Sequence, residues 1–208
     1  MRIDLDDGYS TTITGAVISR IAAEYNWEVD VYEKRPHVGG NCYDIKEFGS
    51  FTHQYGPHWF HTSNKRVVDF LSKYCEFVPY FHKVNAYIDG DYIPIPFSLT
   101  SLFRTHPYHY AKRISDKLIE TYGFGRETTV YALLNSNDTD LNDLGKYIYR
   151  NVFEGYSKKQ WGIKDPMDLD KSVLNRIPVR VNNNTDYFTD KYQYLPQNGY
   201  TDLISNIL

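Results

Sequence analysis

Gly15 and Glu33 are the first residues whose types and spacing could do chemistry. Gly15 lies in a run with helical periodicity, and Glu33 ends an alternating run that begins at Trp27. The N–H groups at a helix N-terminus can bind a pyrophosphate, and a carboxylate at the end of the next strand can accept hydrogen bonds from a ribose. This spacing is typical of dinucleotide-binding βαβ units, and a purely structural βαβ unit shows it as well.

The glycine fingerprint of such a unit is incomplete. The pattern G-x-G-x-x-G counts back from Gly15 to Thr12 and Ser10, so only the third glycine is present. The missing glycines normally permit the tight turn and the close approach of backbone to phosphate. Residues 1–9 also carry three aspartates, which are costly to bury, so this segment is a poor central strand of a parallel sheet.

Histidines form two groups along the chain. His53, His58 and His61 lie close together in sequence, and His106 and His109 form a second pair. A zinc site would usually add a cysteine or a carboxylate at ligand spacing, and the sequence shows none. We therefore expect no metal at either group.

Composition excludes several classes of protein. The chain has 208 residues, 41% of them hydrophobic and 24% charged, which is typical of a globular protein. No run approaches the ~18 apolar residues of a membrane helix, and the first residues lack a signal-peptide pattern, so we expect no membrane association and a cytoplasmic location. A net charge of −3 argues against nucleic acid as a partner. Two cysteines, Cys42 and Cys75, are too few for a disulfide framework.

Hydrophobic periodicity predicts the elements that position these residues. Thr14 is the predicted N-cap of the first helix, Asn26 its end, and Pro94 and Pro96 the end of a hairpin with an Asp-Gly turn. The predicted elements are a helix over 14–25, a strand over 27–33, a helix over 64–74, a hairpin over 84–93, a helical region over 107–160, a strand-like run over 172–181 and a helix over 199–208.

Several blocks of sequence resemble the UDP-galactopyranose mutase family, in the family's order and at about its spacing. They are Glu33-Lys34-Arg35, His37-Val38-Gly39-Gly40-Asn41, Tyr55-Gly56-Pro57-His58-Trp59-Phe60-His61-Thr62, Gly155-Tyr156-Ser157-Lys158-Lys159-Gln160-Trp161-Gly162, Arg176-Ile177-Pro178-Val179-Arg180 and Tyr187-Phe188-Thr189-Asp190-Lys191-Tyr192-Gln193. The resemblance extends from Gly15 to Leu208. The tyrosine–tryptophan block and the arginine–proline block are its most specific parts.

The resemblance implies a fold and an activity. The fold is α/β, with a Rossmann-like FAD-binding segment, an inserted helical domain and part of an antiparallel sheet, incomplete relative to the family. The activity is the interconversion of UDP-galactopyranose and UDP-galactofuranose through an adduct between the sugar and N5 of reduced FAD, in the biosynthesis of cell-surface glycans. The cofactor carries the hard chemistry, so no protein nucleophile is expected. UDP-galactose is the expected partner, and a homodimer is left open.

The resemblance also assigns residues to the site. Catalytic roles go to His58 and Arg180; substrate contacts go to Tyr156, Trp161, Arg180 and Tyr192; cofactor contacts go to Gly15, Glu33, Arg35, Gly39, Gly40, Asn41, Gly56, His58 and His61. Arg180 and Tyr192 would bind the diphosphate, and the two aromatic residues would contact uridine diphosphate. Judged from residue type alone, Tyr156 and Trp161 are also compatible with core packing, and Arg180 with a surface ion pair.

The expected division of the chain follows the same blocks. It runs 1–80 for the first part of the FAD-binding domain, 81–98 for a hairpin, 99–170 for the helical substrate domain, 171–195 for a sheet segment and 196–208 for a helix returning to the FAD domain. The family continues beyond this sequence, so we expect FAD binding to be impaired and this chain alone to be inactive.

Two rival functions stay open at this stage. One is a non-catalytic relative that keeps part of the UDP pocket without flavin. The other is a flavin oxidoreductase of the amine-oxidase type, against which the blocks at 159–161 and 176–180 argue, since in the family they serve a nucleotide-sugar pocket.

Overall fold

A computed structural model of the chain describes residues 12–155, 158, 159, 162, 175 and 177–208. The chain divides into two compact units. Unit 1 comprises residues 1–81 and 188–208, and unit 2 comprises residues 82–187. Within the described ranges, no helix is long and apolar enough to cross a membrane.

The described helices and strands are numbered in chain order. The helices are α1 (Ile13–Glu24), α2 (Lys65–Leu71), α3 (Leu99–Thr105), α4 (Tyr108–Tyr122), α5 (Val130–Leu134), α6 (Thr139–Ile148) and α7 (Gly199–Ile207), with a π-helical turn at Tyr149–Glu154 after α6. The strands are β1 (Asp44–Glu47), β2 (Ser50–His53), β3 (Phe60–Thr62), β4 (Phe77–Pro79), β5 (Val84–Ile88), β6 (Asp91–Ile95), β7 (Phe97–Ser98), β8 (Glu127–Thr129), β9 (Pro178–Arg180) and β10 (Tyr192–Pro196).

Unit 1 is held together by the apolar face of α7. Tyr200, Leu203, Ile204 and Ile207 recur at helical spacing, are all buried, and pack with Ala16 of α1 in one cluster. Beside them β10 is the central strand of an antiparallel sheet in the order β3-β10-β4, and β1 and β2 form a separate hairpin.

Unit 2 combines a small sheet with helices. Strand β9 pairs in parallel with β7 and antiparallel with β8, while β5 and β6 form a hairpin. Leucine and isoleucine side chains of α3 to α6 form its core. The fully buried ones include Leu102, Ile114, Leu118, Leu133, Leu141, Leu144 and Ile148.

The first helix is confirmed, but its predicted N-cap is wrong. The helix begins at Ile13, and its N-cap is Thr12, whose hydroxyl oxygen accepts the Gly15 N–H. Thr12 and Thr14 lie within one turn, and of these two only Thr12 has the extended backbone that an N-cap requires. Asn26 follows the helix with a φ of 59°, as expected for a residue that ends a helix in the left-handed conformation.

The predicted strand over 27–33 is wrong: none of these residues is in a strand. The alternation of apolar and charged residues is present, but a strand is stable only when neighbouring strands satisfy its N–H and C=O groups. No strand of the described residues runs beside this segment.

The predicted hairpin and its Asp89-Gly90 turn are confirmed by the pairing of β5 with β6. Pro94 does not end the hairpin but lies inside β6, opposite Asn85. A proline is tolerated here because this sheet has only two strands, so each strand has a free edge. Pro178 is the first residue of β9, a position at which a strand tolerates proline.

Candidate functional site

The N-terminus of α1 is capped by a side chain of the protein itself. The Oγ1 of Thr12 accepts the Gly15 N–H at 3.5 Å, a long hydrogen bond. Gly40 lies against the same threonine, with a φ of +54°, and a Cβ added there would come within 2.9 Å of the Thr12 Cγ2. The structure therefore brings Gly15, Gly40 and Thr12 together, and the Thr12 side chain stands where the fingerprint would have a glycine.

Arg35 hydrogen-bonds to two other predicted cofactor residues, Glu33 and Asn41. Its backbone N–H donates to the Glu33 carboxylate at 3.0 Å, and its Nη2 donates to the Asn41 Oδ1 at 2.8 Å. The guanidinium carbon lies 4.4 Å from the centre of the Tyr55 ring. The Nη1 of Arg35 is buried and hydrogen-bonds to none of the described residues. A buried donor without an acceptor is costly, so this nitrogen is suited to a ligand oxygen.

His37, Tyr43 and Tyr55 form an aromatic cluster that sequence analysis missed. The His37 and Tyr43 rings stack at 3.7 Å, and the His37 Nε2 lies 2.8 Å from the Tyr55 hydroxyl. Through Tyr55 this stack supports the Arg35 guanidinium. His37 was part of a quoted motif, but only the tertiary structure shows that it positions its neighbours.

His58 is fixed by the loop that carries it. Its backbone N–H donates to the His53 Nδ1 at 2.9 Å, and its own Nδ1 lies 2.8 Å from the Gly56 carbonyl oxygen. Because a carbonyl can only accept, this Nδ1 carries the proton. Burial lowers the pKa of His53; the Asp44 carboxylate raises it in part, and His58 lowers it further. His53 is therefore suited to accept the amide hydrogen bond as a neutral imidazole.

His61 is held by a partner that sequence analysis did not assign. Its Nδ1 lies 2.7 Å from the Asp190 Oδ2, and its ring stacks on Phe188 at 3.7 Å. The Ser63 hydroxyl donates to the other Asp190 oxygen at 2.9 Å. Hydrogen bonds from His61 and Ser63 hold the pKa of the Asp190 carboxyl below its usual range. The antiparallel pairing of β3 and β10 creates this contact, so no local sequence signal could have shown it.

Tyr192 begins β10 and pairs with Thr62 of β3 in unit 1. Its ring is half-buried beside the Lys191 ammonium, which lies 5.3 Å from the ring centre. The other predicted diphosphate ligand, Arg180, lies in unit 2. Tyr156 and Trp161 lie outside the described residues.

Arg180 is buried and hydrogen-bonds to residues of unit 2. Only 3% of its side chain is exposed, and its Nε donates to the Glu127 carboxylate at 3.0 Å. Nη1 donates to the Asp186 carbonyl oxygen and Nη2 to that of Tyr187, the latter at 3.1 Å. The guanidinium thus ties the turn after β9 to β8. It is not an exposed surface ion pair.

A cavity of about 290 Å³ lies in the same unit. Its walls are aromatic, aliphatic and proline side chains: Ile95, Pro96, Phe153, Ile177, Pro178 and Tyr187. Pro178 and Arg180 are two residues apart on β9, so their side chains point to the same face of that strand. Phe153 and Tyr187 were not predicted as site residues, although both belong to or adjoin the quoted aromatic blocks.

No group of three or more His, Cys, Asp or Glu side chains in the described ranges is arranged to hold a metal ion. The two cysteines are free thiols.

Comparisons with known proteins agree with the quoted blocks. Residues 151–208 match the family model described as UDP-galactopyranose mutase, and residues 12–74 match that of an NAD(P)-binding Rossmann-like domain. The chain is 37% identical to dTDP-fucopyranose mutase of Escherichia coli, over 94% of this chain and 51% of that protein. It is 34% identical to a probable UDP-galactopyranose mutase of Klebsiella pneumoniae, over 93% of this chain and 50% of that protein.

A solved structure has a similar fold. The crystal structure of a reduced UDP-galactopyranose mutase superimposes with a TM-score of 0.64 at 16% identity, over 95% of this chain and 44% of that one. Together with the Rossmann-like match, this confirms the predicted α/β fold. The chain spans about half the length of the curated relatives it matches. Over the region it spans, it is similar to the UDP-galactopyranose mutase family, whose members are isomerases.

Proposed function

We propose that this chain contributes the nucleotide-sugar site of a mutase that interconverts UDP-galactopyranose and UDP-galactofuranose. One observation carries the proposal: Tyr187 lines the apolar cavity of unit 2, and its carbonyl oxygen accepts a hydrogen bond from Arg180. An aromatic cavity and a buried guanidinium are therefore linked through one residue. A nucleoside diphosphate has the matching chemistry, a planar base joined to an anionic diphosphate.

The cavity suits the base. Phe153 and Tyr187 offer aromatic surface, and the remaining walls are aliphatic or proline. At about 290 Å³ the cavity lies at the lower end of the range for small-molecule sites, so it suits one end of a nucleotide better than a whole nucleotide sugar. Tyr156 and Trp161, which the family resemblance assigns to uridine diphosphate, are part of this proposal.

Arg180 suits the diphosphate. A guanidinium has five N–H donors, and three of them are used by Glu127, Asp186 and Tyr187. The two carbonyl acceptors are neutral, so a diphosphate would be a stronger partner for the same charge. In the proposed reaction Arg180 stabilises the negative charge on departing UDP. For Tyr192 of unit 1, the family resemblance implies that its phenolic hydroxyl donates to a diphosphate.

The residues of unit 1 fit a flavin dinucleotide. The buried Nη1 of Arg35 has no acceptor among the described residues, and a phosphate or ribose oxygen would supply one. Glu33, Arg35, Asn41 and the Gly39-Gly40 turn would hold the adenosine end, and Gly56, His58 and His61 would lie towards the flavin ring. Reduced FAD, when bound there, would supply the electron pair needed to displace UDP from the sugar. We expect Thr12 to weaken this site, because its hydroxyl oxygen accepts the Gly15 N–H that a pyrophosphate would otherwise bind.

A second candidate substrate is a deoxythymidine-diphosphate sugar. The relative with 37% identity is named dTDP-fucopyranose mutase. The side chains lining the cavity are apolar apart from the Tyr187 hydroxyl, so they suit the C5 methyl group of thymine as well as uracil. The first proposal, in which the substrate is UDP-galactose, also includes a cytoplasmic location and a role in supplying galactofuranose to surface glycans.

Calorimetric titration of the whole chain with UDP tests the nucleotide site. We expect Arg180→Ala to weaken UDP binding about ten- to a hundredfold and Phe153→Ala about tenfold. Arg180→Lys should restore only part of the UDP affinity lost in Arg180→Ala. It keeps the positive charge, but an ammonium cannot donate two parallel hydrogen bonds. Glu127→Gln is the matched control, since it keeps an acceptor for the Arg180 Nε.

Equal UDP affinity in the wild type and Arg180→Ala, with both folded by circular dichroism, would remove this arginine from the site and favour a non-catalytic relative in which Arg180 does not bind UDP. Titration with dTDP under the same conditions separates the two substrates. Tighter binding of dTDP than of UDP favours the second candidate.

A further inference from the structure

The protein itself orients the Arg35 guanidinium through two contacts. Its Nη2 donates to the Asn41 Oδ1 at 2.8 Å, and its central carbon lies 4.4 Å from the centre of the Tyr55 ring, within the range of a cation–π contact. Its Nη1 is buried and has no acceptor among the described residues. The guanidinium is therefore held in one orientation and keeps a buried donor for a ligand.

The Tyr55 ring is in turn fixed by His37. The His37 Nδ1 lies 3.0 Å from the Val38 carbonyl oxygen, and since a carbonyl can only accept, this nitrogen carries the proton of the neutral ring. The Nε2 is then an acceptor, and the Tyr55 hydroxyl, 2.8 Å away, donates to it. Because Tyr55 is 47% exposed, this hydrogen bond is what keeps its ring against the arginine.

A glycine turn supplies both ends of this arrangement. Gly39 has a φ of +100°, and a short 3-10 turn follows it. The turn carries Asn41 to the Arg35 guanidinium. It also returns Tyr43 onto His37, where the two rings stack at 3.7 Å. A Cβ on Gly39 would lie 3.2 Å from the Tyr43 Cα, so glycine is needed here for the chain to return, whatever it contributes to a ligand.

The charge distribution around Arg35 favours an anionic ligand. The two partners of the guanidinium among the described residues, the Asn41 amide and the Tyr55 ring, carry no charge. A phosphate oxygen would be a stronger acceptor than either of them, and it fits the guanidinium fork. The nearby Glu33 carboxylate, which accepts the Arg35 backbone N–H, suits ribose hydroxyls instead. A dinucleotide carries both groups.

We propose that His37, Tyr43 and Tyr55 are positioning residues for the cofactor, and that they hold the Arg35 guanidinium ready to bind a phosphate oxygen of the dinucleotide. We call these three residues the aromatic clamp. An arginine that is already ordered loses less side-chain entropy on binding, so the clamp raises the affinity by acting through Arg35. This inference rests on the proposed function, which supplies the dinucleotide.

Titration calorimetry of the whole chain with ADP, which carries the adenosine diphosphate part of the cofactor, tests the clamp. We expect Arg35→Ala to weaken ADP binding at least about tenfold and Tyr55→Leu about two- to tenfold. Tyr55→Phe and His37→Phe remove the same hydrogen bond, so each should have a smaller effect and the double variant no more than either alone. Tyr87→Leu, at an exposed tyrosine of unit 2, is the matched control and should leave the ADP affinity unchanged.

A measurement without ligand separates positioning from a general loss of structure. In the ¹⁵N-labelled chain, the Nη–H signals of Arg35 should show hindered rotation about the Cζ–Nη bonds, and Arg35→Lys assigns these signals by removing them. Tyr55→Leu should release this rotation while circular dichroism shows the same fold as the wild type. Tyr87→Leu should leave the rotation hindered.

Three results would each overturn the inference: no saturable ADP binding by the wild type, equal ADP affinity in the wild type and Tyr55→Leu, or equal rotation of the guanidinium in both. UDP titration of the same variants keeps the two proposals apart, because Arg180 lies in unit 2 and Tyr55→Leu should not change UDP affinity. UDP binding without ADP binding removes the clamp alone, and clamp-dependent ADP binding without UDP binding removes the nucleotide-sugar site alone.

Discussion

The Asp44 carboxylate caps helix α7 from 156 residues away in the sequence. Its Oδ2 accepts the Tyr200 N–H at 2.6 Å, and its Oδ1 accepts the Thr201 N–H at 3.0 Å. The Thr201 hydroxyl completes the contact by accepting the Asp44 N–H and donating to the Asp44 carbonyl oxygen, both at 2.9 Å. Gly199 permits the approach, since a Cβ there would lie 2.8 Å from the carboxylate. This contact joins the β1–β2 hairpin to the helix that forms the core of unit 1.

Asp44→Ala should destabilise unit 1 by about 2–3 kcal/mol. The substitution removes two charge-assisted hydrogen bonds and leaves two amide donors of a buried helix terminus without acceptors. Thr201→Val should cost about 1–2 kcal/mol for the same physical reason. Denaturant unfolding, followed by circular dichroism, measures both. Asp69→Ala breaks an exposed i,i+4 pair with Lys65 and should leave the unfolding midpoint nearly unchanged; a similar loss in all three variants would contradict the assignment.

Gly145→Ala should destabilise unit 2 although alanine is the better helix former. A Cβ at Gly145 would lie 2.8 Å from the Leu134 backbone nitrogen and 2.9 Å from the Leu133 Cβ, where α5 and α6 pack closely. The cost of overpacking, about 1–3 kcal/mol, outweighs the gain in helix propensity from glycine to alanine, which is about 1 kcal/mol. Gly155→Ala is the matched control. Gly155 is helical, and no atom of the described residues outside its own helix backbone lies within 4 Å of the added Cβ. The unfolding midpoint of Gly155→Ala should therefore stay or rise; the same outcome for Gly145→Ala would disprove the close contact.

Thr12→Gly should strengthen FAD binding about tenfold. It frees the Gly15 N–H at the start of α1 and removes the methyl group that packs on Gly40, so phosphate can approach the backbone. Glycine is also an acceptable N-cap, so the helix itself should lose only a few tenths of a kcal/mol. Equilibrium dialysis with FAD measures the affinity. Thr12→Ser keeps the hydroxyl but lacks the methyl group, and we expect its FAD affinity to lie between those of the wild type and Thr12→Gly. If Thr12→Gly binds no more FAD than the wild type, the cause of weak FAD binding lies elsewhere in the chain.

Cys75 should react slowly with thiol reagents at neutral pH. Burial, with a smaller contribution from the Asp202 carboxylate, raises its pKa to about 11. The reactive thiolate is therefore scarce below that pH. The rate of alkylation by iodoacetamide should rise with pH and reach half of its maximum near pH 11. Mass spectrometry of the alkylated peptide separates Cys75 from Cys42, whose pKa burial also raises. A midpoint close to the ordinary thiol value of about 8.5 in the folded protein would contradict the burial of this group.

Local pattern was enough to predict several elements of this protein. The periodicity of α1, the Asp-Gly turn between β5 and β6 and the apolar face of α7 each depend on neighbours within a few residues, and each is confirmed. The motifs at Glu33, Gly39 and His58 likewise indicated the family, because the family shares them as contiguous blocks. Thr14 shows the limit of such patterns: Thr12 and Thr14, on either side of Ile13, fit a cap equally well by type, and backbone conformation selected Thr12.

Contacts between distant segments were decided only by the tertiary structure. The pairing of β3 with β10 brings Asp190 to His61, and the Arg180 guanidinium became buried because the turn after β9 folds onto it. Residues 27–33 show the converse. Their sequence has the pattern of a strand, but a strand needs hydrogen-bonded neighbours, and none lies beside this segment in the described residues. The sequence by itself determined the resemblance to the family and elements such as α1, α7 and the β5–β6 hairpin. Long-range pairing decided which side chains meet, because hydrogen bonds between distant segments leave no periodic signal in either one.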